Sequence, residues 1–300
     1  MKIIFPRDPM SDQNPDSMFI DEVAAATHAG LDFALVDYEA LVTQKNAARS
    51  VRDIPAHPDL EPAVYRGWML SAGQYAALYD ALLSRGLQLI TDARQYRHTQ
   101  YLPESLYLIE SLTPQTVWMR TDGDITYDVV MQLLLPFSGQ PLILKDFVKA
   151  EKHYWKQACY ITSSSDPIAV RNTIDYFMKL RGDDFEGGLV FREYIDFEPL
   201  VERPHGGMPL VKEYRIFYLN QMPFATIRYW DVADYDETDE PDLDLFNPIA
   251  RQVRSRFFTM DVAQRTDGEW MIIELGDGQV ATLPTTANFD AFYKILAGAR

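Results

Sequence analysis

The segment that most constrains the fold is residues 210–219, which read LVKEYRIFYL. Charged and apolar side chains alternate there with a period of two, and successive side chains of a β-strand point to opposite faces of a sheet. The alternation predicts a strand with Val211, Glu213, Arg215 and Phe217 on one face and Lys212, Tyr214, Ile216 and Tyr218 on the other. The same half of the chain contains further predicted strands at 141–146, 188–194, 222–230, 257–264 and 270–275, and helices at 166–180 and 288–298. We therefore expect an α+β domain with largely antiparallel sheet.

The first part of the chain has a different rhythm, in which short apolar runs alternate with amphipathic stretches. Strands are predicted at 2–5, 33–36, 63–70, 87–91 and 116–120, and helices at 19–28, 71–85, 103–111 and 124–135. Alternating strands and helices are typical of an open α/β sheet. Since a domain has about 150 residues, the 300 residues predict two domains. We place an N-terminal α/β domain at 1–120 and the α+β domain at 121–300.

The charge balance argues against a protein that binds nucleic acid through its phosphates. There are 28 basic and 44 acidic side chains, for a formal charge of −16, whereas such binding requires an electropositive face. A local basic groove stays possible. Half of the excess lies between Asp231 and Asp244, where eight carboxylates occur without Lys or Arg. This acidic segment is either a solvated loop or a docking site for a basic partner.

Cysteine and histidine content excludes other classes of site. Cys159 is the only cysteine and the five histidines are scattered, so neither an internal disulfide nor a zinc constellation is predicted. The N-terminus has no signal-type apolar region, and no apolar run reaches the ~18 residues of a membrane span. A cytoplasmic protein that does not contact a membrane is expected.

Charged side chains on otherwise apolar strands are the strongest functional signal. Lys145 follows Leu142-Ile143-Leu144, and Asp261 lies inside 257–263, FFTMDVA. Glu274 ends the run WMIIE. A buried charge costs several kcal/mol unless it is paired or bound to an ion. Each residue alone is more simply a strand-edge residue, but together they include both signs, as a site for a polyphosphate and a divalent metal requires.

Two of the acidic residues are predicted to converge. Asp261 and Glu274 flank the turn-forming sequence Thr266-Asp267-Gly268-Glu269, which favours a β-hairpin. A hairpin with that turn would bring both carboxylates close together on adjacent strands. They are either metal ligands or an exposed pair at the end of a hairpin.

A lysine-rich stretch follows the strand that contains Lys145. Residues 145–156 include Lys145, Lys149, Lys152 and Lys156, and a basic loop after a strand can hold phosphates. The stretch is not a Walker A loop, because it has neither glycine nor the Gly-Lys-Ser/Thr signature. The alternative is the solvated face of a helix. Arg66, on the predicted strand 63–70, is equally well explained as a ligand for a substrate carboxylate or phosphate and as half of a structural ion pair.

In chain order, these features resemble the ATP-grasp superfamily. The shared order is a lysine at a strand end, a basic loop, a strand ending in Arg-Glu-Tyr-Ile (residues 192–195), a Glu-x-Arg strand, an Asp on a strand and a Glu that closes the next one. The chain is also similar to the divergent clade around the cell-division-cycle-123-like proteins and their phage and bacterial relatives, in which a Glu-Leu-Gly-Asp-Gly-Gln ending corresponds to residues 274–279 here. The resemblance covers roughly residues 140–285. The superfamily commonly has Glu-x-Asn at this ending, whereas the third position here is Gly276.

The resemblance implies ATP and Mg²⁺ as cofactors and assigns roles to named residues. Its implied phosphate ligands are Lys145, Lys149 and Lys152, with Arg215 near the transferred phosphate. Its implied nucleotide hinge is Arg192, Glu193 and Ile195, with Glu213 near the ribose or metal. Its implied metal ligands are Asp261 and Glu274, with Asp277 as a possible replacement for the missing third oxygen. Lys145, Lys152 and Arg215 would be the catalytic residues.

Three functions follow from these assignments. The leading one is an ATP- and Mg²⁺-dependent ligase that activates a carboxylate as an acyl phosphate and joins it to an amine. A second is an RNA end-joining ligase in which Lys145 or Lys152 is the nucleophile and AMP is released; the net charge disfavours it. A third is an ATP-bound assembly factor without turnover, with the acidic segment as its partner surface. The acceptor is not identified by the sequence.

Overall fold

The parallel sheet predicted for the N-terminal part is present. The structure is a computed structural model that describes residues 1–200, 208–230 and 240–298. Its first sheet contains β1 (Lys2–Pro6), β2 (Asp32–Val36), β3 (Glu61–Tyr65) and β4 (Leu87–Leu89), all parallel, in the order β2-β1-β3-β4. The helices of this part are α1 (Ile20–His28), α2 (Tyr38–Val42), α3 (Ala47–Ser50), α4 (Ala72–Leu83), α5 (Ala93–Gln100) and α6 (Leu102–Ile109). Ser71 and Gln74 form a capping box at the start of α4, which stabilises the first turn.

The third strand is shorter than the predicted 63–70. It ends at Tyr65 because the chain turns towards residues 278–281 near the C-terminus. The Arg66 guanidinium donates to the carbonyl oxygens of Gly278 and Ala281, and the Gly67 N–H donates to that of Gln279. These contacts replace the sheet hydrogen bonds that a longer strand would make.

The second sheet is antiparallel and contains β5 (Thr116–Arg120), β6 (Leu142–Asp146), β7 (Tyr160–Ile161) and β8 (Gly188–Glu193), in the order β5-β8-β6-β7. Helices α7 (Tyr127–Leu133) and α8 (Pro167–Arg181) pack against it with a shared apolar core. Helix α7 ends before the predicted 135, because Pro136 follows in a short 3-10 turn. The domain boundary after residue 120 stays a prediction, and β5, just before it, pairs with β8.

The third sheet is also antiparallel and contains β9 (Glu213–Leu219), β10 (Met222–Arg228), β11 (Phe257–Gln264) and β12 (Trp270–Asp277), in the order β10-β9-β11-β12. Asn220 and Gln221 link β9 to β10 with φ of 49° and 62°, as a tight hairpin turn requires. Helices α9 (Leu243–Ala250) and α10 (Phe289–Gly298) complete the chain. Within the described residues, no helix has the length and apolar character needed to cross a membrane.

The predicted two faces of β9 are confirmed. Tyr214, Ile216 and Tyr218 are buried in one apolar core. Glu213 and Arg215 point to the other side, towards the second sheet, where both line a cavity. The strict period of two thus separates the side chains that stabilise the sheet from those available for binding.

Arg66 lies at the centre of a structural cluster. Of the two roles predicted for it, substrate ligand and half of a structural ion pair, the structure shows the ion pair. Its side chain is 1% exposed. Its Nε and Nη2 donate to the two carboxylate oxygens of Glu22 at 2.8 and 3.0 Å, and the Tyr293 hydroxyl donates to the same carboxylate. The cluster therefore links α1, the end of β3 and α10.

We expect Arg66→Met to lower the free energy of unfolding by about 3–5 kcal/mol, because it leaves the Glu22 carboxylate buried without a compensating positive charge. Urea denaturation followed by circular dichroism measures the change. The double variant Arg66→Met/Glu22→Leu should recover most of the loss, since no charge is then left unpaired. A loss below about 1 kcal/mol in the single variant would contradict this account of the cluster.

Candidate functional site

A cavity of about 410 Å³ lies between the two antiparallel sheets. Strands β6 and β8 contribute one wall, through Lys145 and Glu193 among others, and β9 and β12 contribute the facing wall, through Glu213 and Glu274. Nine of the predicted site residues line it: Lys145, Lys149, Lys152, Arg192, Glu193, Ile195, Glu213, Arg215 and Glu274. The structure therefore brings together residues that are spread over about 130 positions of the sequence.

The cavity has an apolar part and a charged part. Ile143, Val148, Ile195, Phe197 and Ile273 are among its apolar lining residues. Its charged lining residues are Lys145, Lys149, Lys152, Glu213, Arg215 and Glu274, together with Arg192 and Glu193. A mostly apolar cleft with a few convergent polar groups is the usual form of a small-molecule site.

Two ion pairs lie at the charged side chains, one between the two sheets and one within the third sheet. Lys145 Nζ lies 2.5 Å from Glu274 Oε2. Arg215 contacts Asp261 through two hydrogen bonds, Nε to Oδ1 at 2.8 Å and Nη2 to Oδ2 at 2.7 Å. In the strand register, Asp261 lies opposite Arg215 of β9 on one side and opposite Glu274 of β12 on the other. The predicted hairpin and the convergence of its two carboxylates are confirmed, and each carboxylate is neutralised by a cation.

The electrostatics of the two glutamates differ. Loss of hydration alone would raise the pKa of Glu274, but the charges of Lys145 and Lys152 lower it to about 2. Burial raises the pKa of Glu213 to about 8, although Lys152 opposes the shift. Glu274 is therefore a permanent carboxylate at neutral pH, while Glu213 exchanges its proton near neutral pH.

Lys152 lies against two aromatic rings. Its Nζ is 5.3 Å from the centre of the Tyr229 ring and 5.7 Å from that of Trp230. Burial would lower the pKa of Lys152, but Tyr229 and the carboxylate of Glu213 raise it. The ammonium is therefore retained in the cavity.

The lysine stretch is held in place by a buried carboxylate. Asp146 Oδ1 accepts from the N–H groups of Val148 and Lys149 at 2.7 and 2.6 Å, and its Oδ2 accepts from Arg181 Nε at 2.9 Å. Because the loop is folded back in this way, Lys149 and Lys152 line the cavity, while Lys156 lies outside it and is exposed. The predicted basic loop is thus present with three of its four lysines at the cavity.

Comparison with known families identifies the fold. Residues 136–296, more than half of the chain, match the model of the ATP-grasp domain, R2K clade family 3. The chain belongs to this family. A comparison with curated proteins gives no significant match, and the link to cell-division-cycle-123-like proteins stays a prediction.

Solved ATP-grasp structures share the whole fold at low sequence identity. An ATP-grasp RimK domain protein from Sphaerobacter thermophilus and the D-cycloserine synthetase DcsG each superpose with a TM-score of 0.61 at 13% identity. The alignments cover 99% of this chain and 98% and 99% of theirs. The ATP-grasp ligase PsnB, complexed with a minimal precursor, has a TM-score of 0.59 at 13% identity and covers 100% of this chain and 98% of its own. The predicted fold class is therefore confirmed over both parts of the chain.

The predicted hinge of this ATP-grasp protein lies at the end of β8. Glu193 and Ile195 both line the cavity. Glu193 N–H donates to the Gln115 carbonyl and Tyr194 N–H to the Pro141 carbonyl. Ile195 N–H has no backbone acceptor within the part of the chain that the structure describes, so it is available to a ligand.

Arg192 borders the cavity, but its guanidinium is occupied by protein groups. Its Nη1 donates to the Ile273 carbonyl and its Nη2 to Thr113 Oγ1, both at 2.6 Å. These bonds link β8 to β12 across the two sheets. Burial lowers the pKa of Arg192 to about 10. Its predicted part in cofactor binding stays a prediction, whereas its contacts hold the two walls together.

The three predicted metal ligands are not equivalent. Asp261 and Glu274 lie side by side on neighbouring strands, whereas Asp277 is buried at the end of β12, where Gln279 donates to its Oδ1. Across residues 1–200, 208–230 and 240–298 there is no group of three or more His, Cys, Asp or Glu side chains arranged to hold a metal ion. Asp261 and Glu274 are therefore two neighbouring carboxylates whose role as metal ligands stays a prediction. The role of Asp277 as a metal ligand also stays a prediction.

Two site residues were missed by the sequence analysis. Tyr229 places its ring 4.8 Å from the Arg215 guanidinium carbon, and its N–H donates to the Glu213 carbonyl. Asp146 orders the lysine loop. Hairpin pairing of β9 with β10 was the available signal for Tyr229, because the turn at Asn220–Gln221 brings residue 229 beside residue 213. Asp146 gave no signal beyond its place after Lys145.

Most of the predicted acidic docking segment lies outside the described residues, because 231–239 are not described. At its described end, Asp242 caps α9 by accepting from the N–H of Asp244. The docking of a basic partner there stays a prediction.

Glu213 gives a prediction about pH. Its carboxyl is protonated to a higher pH in the folded protein than in the unfolded chain, so that stability should fall as pH rises from about 4.5 to about 8. Glu213→Gln removes this proton exchange. We expect its Tm to exceed that of the wild type by an amount that grows between pH 5 and pH 8.5. A difference in Tm that is constant over this range, in scanning calorimetry, would contradict the raised pKa.

Proposed function

We propose that the protein is an ATP- and Mg²⁺-dependent ligase that joins a carboxylate to an amine through an acyl phosphate. The observation that carries the proposal is the two-part cavity, in which apolar side chains adjoin a set of convergent cations. A nucleoside triphosphate has the same division, because its base is flat and apolar on both faces and its phosphates are anionic. The solved structures support this function by their descriptions, which include a synthetase and ligases.

The placement of ATP follows from the lining residues. The base would lie between Ile143, Ile195 and Ile273, with one edge at the free Ile195 N–H. The phosphates would extend towards Lys145, Lys149 and Lys152. Ammonium groups bind phosphate oxygens as point charges, so their exact rotamers matter less than their position.

The carboxylates of Asp261 and Glu274 suit a magnesium ion that is also bound to the phosphates of a nucleotide. Mg²⁺ prefers oxygen ligands and is usually held by one or two carboxylates together with substrate phosphates. Asp261 and Glu274 are two such carboxylates on paired strands. Both would hold the ion, which when bound would neutralise charge on the transferring phosphate.

The chain's own residues would act by position and charge. In the first step a substrate carboxylate oxygen bonds to the γ-phosphorus, the bond to the β,γ-bridging oxygen breaks, and ADP leaves. In the second step the neutral amine nitrogen bonds to the acyl carbon, the bond from that carbon to the phosphate oxygen breaks, and inorganic phosphate leaves with the proton that the nitrogen loses. Arg215, held against Tyr229, would keep its guanidinium at the phosphoryl group in both steps. Neither step requires a covalent protein nucleophile.

The contacts of the lysines disfavour the RNA-joining alternative. A nucleophilic lysine must be neutral, and enzymes achieve this by lowering its pKa. Here the pKa of Lys152 is raised, chiefly by Tyr229 against the effect of burial, and Lys145 is in an ion pair with Glu274. Neither lysine is poised to attack the α-phosphate.

The proposal is tested with ATP labelled at the α-phosphate, Mg²⁺, and pools of carboxylic acids and primary amines. We expect labelled ADP only when an acid is present, with repeated turnover only when an amine is present as well. In Glu274→Gln we expect a more than 100-fold slower rate, because charge stabilisation at a transferring phosphate is worth several kcal/mol. Labelled AMP, or label retained on the protein in the presence of RNA, would establish nucleotidyl transfer instead. ATP binding without turnover in any pool would favour the assembly factor.

Lys152→Met tests the phosphate site without requiring a substrate. We expect the Kd for Mg·ATP to rise about 10-fold or more, since a hydrogen bond to a charged group contributes about 1.5–3 kcal/mol. Lys156→Met is the matched control, because Lys156 lies in the same stretch but outside the cavity. Isothermal titration calorimetry measures both variants, and equal affinities for the two would contradict the assignment.

A further inference from the structure

A second, smaller cavity adjoins the ATP cavity, and the proposed nucleotide and metal site uses only the part of its wall formed by Arg215, Asp261 and Glu274. Its volume is about 200 Å³. It shares Arg215, Tyr229 and Glu274 with the ATP cavity. Its remaining wall includes Gln100, Thr259, Asp261, Gly276, Asp277 and Thr282. It therefore lies beside the groups assigned to the transferring phosphate.

Asp277 in this wall is a buried carboxylate with one unused oxygen. Its side chain is 1% exposed. Oδ1 accepts from the N–H and from Nε2 of Gln279, at 3.0 and 3.1 Å. Oδ2 has no hydrogen-bond partner among the described residues. A buried carboxylate with an unsatisfied oxygen lowers the free energy of unfolding.

The N-terminal sheet fixes the orientation of this carboxylate through Gln279. Gln279 Oε1 accepts from the Tyr65 N–H at 3.0 Å, and its Nε2 donates to the Tyr75 hydroxyl at 2.6 Å. Tyr75 is itself stacked on Tyr96, with ring centres 3.9 Å apart. These bonds hold the Gln279 amide against Asp277 Oδ1, which leaves Oδ2 as the buried carboxylate oxygen without a hydrogen-bond partner among the described residues.

Gly276 and Thr259 lie against each other in the wall of this cavity. A Cβ atom at position 276 would lie 2.7 Å from Thr259 Oγ1, so that any side chain there would have to displace that hydroxyl. The shape of this wall therefore depends on a glycine at position 276.

The charges of this cavity select a cation. Asp261 is compensated by Arg215 and Glu274 by Lys145. Within the part of the chain that the structure describes, Asp277 forms no salt bridge. A ligand with one positive charge would therefore complete the balance of the cavity.

The size of the cavity limits the ligand. A protein cavity of about 150 Å³ accepts benzene, with six heavy atoms. About 200 Å³ thus corresponds to a ligand, or the end of a ligand, of roughly six to eight heavy atoms.

We propose that this cavity is the acceptor subsite and that it binds a small primary amine as its ammonium ion, with Asp277 as the carboxylate that receives it. The inference rests on the proposed ligase function, for which it supplies the amine, and it makes Asp277 a substrate ligand rather than a metal ligand. One available oxygen suits an ammonium donor, whereas Mg²⁺ demands a near-octahedral set of oxygens. Bound there, the ammonium group would lie next to Glu274 and Arg215, where the acyl phosphate would form, and it would give up one proton to water before its nitrogen attacks the acyl carbon.

The test uses n-propylammonium as the probe, titrated into the full chain with Mg²⁺ and a non-hydrolysable ATP analogue. We expect the wild type to bind n-propylammonium and Asp277→Asn to bind it at least 10-fold more weakly. Neither protein should bind n-propanol, which has no positive charge. Asp21→Asn is the matched control, because Asp21 is an exposed acid in a neighbouring cavity, and it should bind the probe as the wild type does. The Kd for the ATP analogue should change less than about 2-fold in Asp277→Asn.

Folding of the variant is checked independently. Asp277→Asn removes a buried unpaired charge and keeps Oδ1 as an acceptor, so we expect its Tm to rise by a few degrees. As a second variant, Gly276→Ala narrows the cavity and should weaken n-propylammonium binding more than methylammonium binding.

Three results would overturn the inference. They are no binding of the probe by the wild type, equal binding by Asp277→Asn, and a loss of Mg²⁺-dependent nucleotide affinity in Asp277→Asn, which would make Asp277 a metal ligand. Because probe binding is measured without turnover, its failure is distinct from a failure to form ADP. An enzyme that forms ADP but does not bind the amine at Asp277 would retain the proposed function and lose only this subsite.

Discussion

Two ion pairs, Lys145 with Glu274 and Arg215 with Asp261, make this cavity possible. Removing one member of a buried pair costs about 3–5 kcal/mol, because the other charge is left without compensation. In each pair, a cation suited to phosphate faces a carboxylate suited to Mg²⁺. ATP alone would draw away the cations and expose the carboxylates, and Mg²⁺ alone would do the reverse. Under the proposed function, the two together would exchange both sets of partners, so that the pairing would favour joint binding of nucleotide and metal.

The pairs arise from sheet geometry rather than from any single motif. The hairpin of β11 and β12 sets Asp261 opposite Glu274, and the pairing of β9 with β11 sets Arg215 opposite Asp261. Lys145 comes from the other sheet, and Arg192 joins the same two sheets through Thr113 and the Ile273 carbonyl. From Lys145 across the gap between the sheets to Arg215, the order is thus cation, carboxylate, carboxylate, cation, so that a change in the register of β9, β11 or β12 would leave a charge unpaired.

Local patterns predicted much of this site, and tertiary contacts account for the rest. The period of β9 separated Glu213 and Arg215 from the core residues, and the turn at 266–269 brought Asp261 to Glu274. The charged residues were predicted to contact phosphates and metal, and their ion pairs with one another were not predicted. Ion pairs between elements depend on the distance between those elements in the fold, which no local sequence pattern contains. The same limit applies to Arg66, whose partner Glu22 lies on another element, and to Asp146, whose bonds reach as far as Arg181.

The departure at Gly276 connects the nucleotide site with the second cavity. Glu274 faces the ATP cavity, and Asp277, three positions later, ends the same strand in the wall of the smaller one. A side chain at position 276 would meet the Thr259 hydroxyl. Because position 276 is a glycine, it supplies no metal ligand, and Thr259 can lie against the strand between Glu274 and Asp277. Since Gln279 fixes Asp277 from the N-terminal sheet, the short segment 274–279 links the nucleotide site to the part of the chain that precedes it. An acceptor bound at Asp277 would thus be positioned by both parts of the molecule.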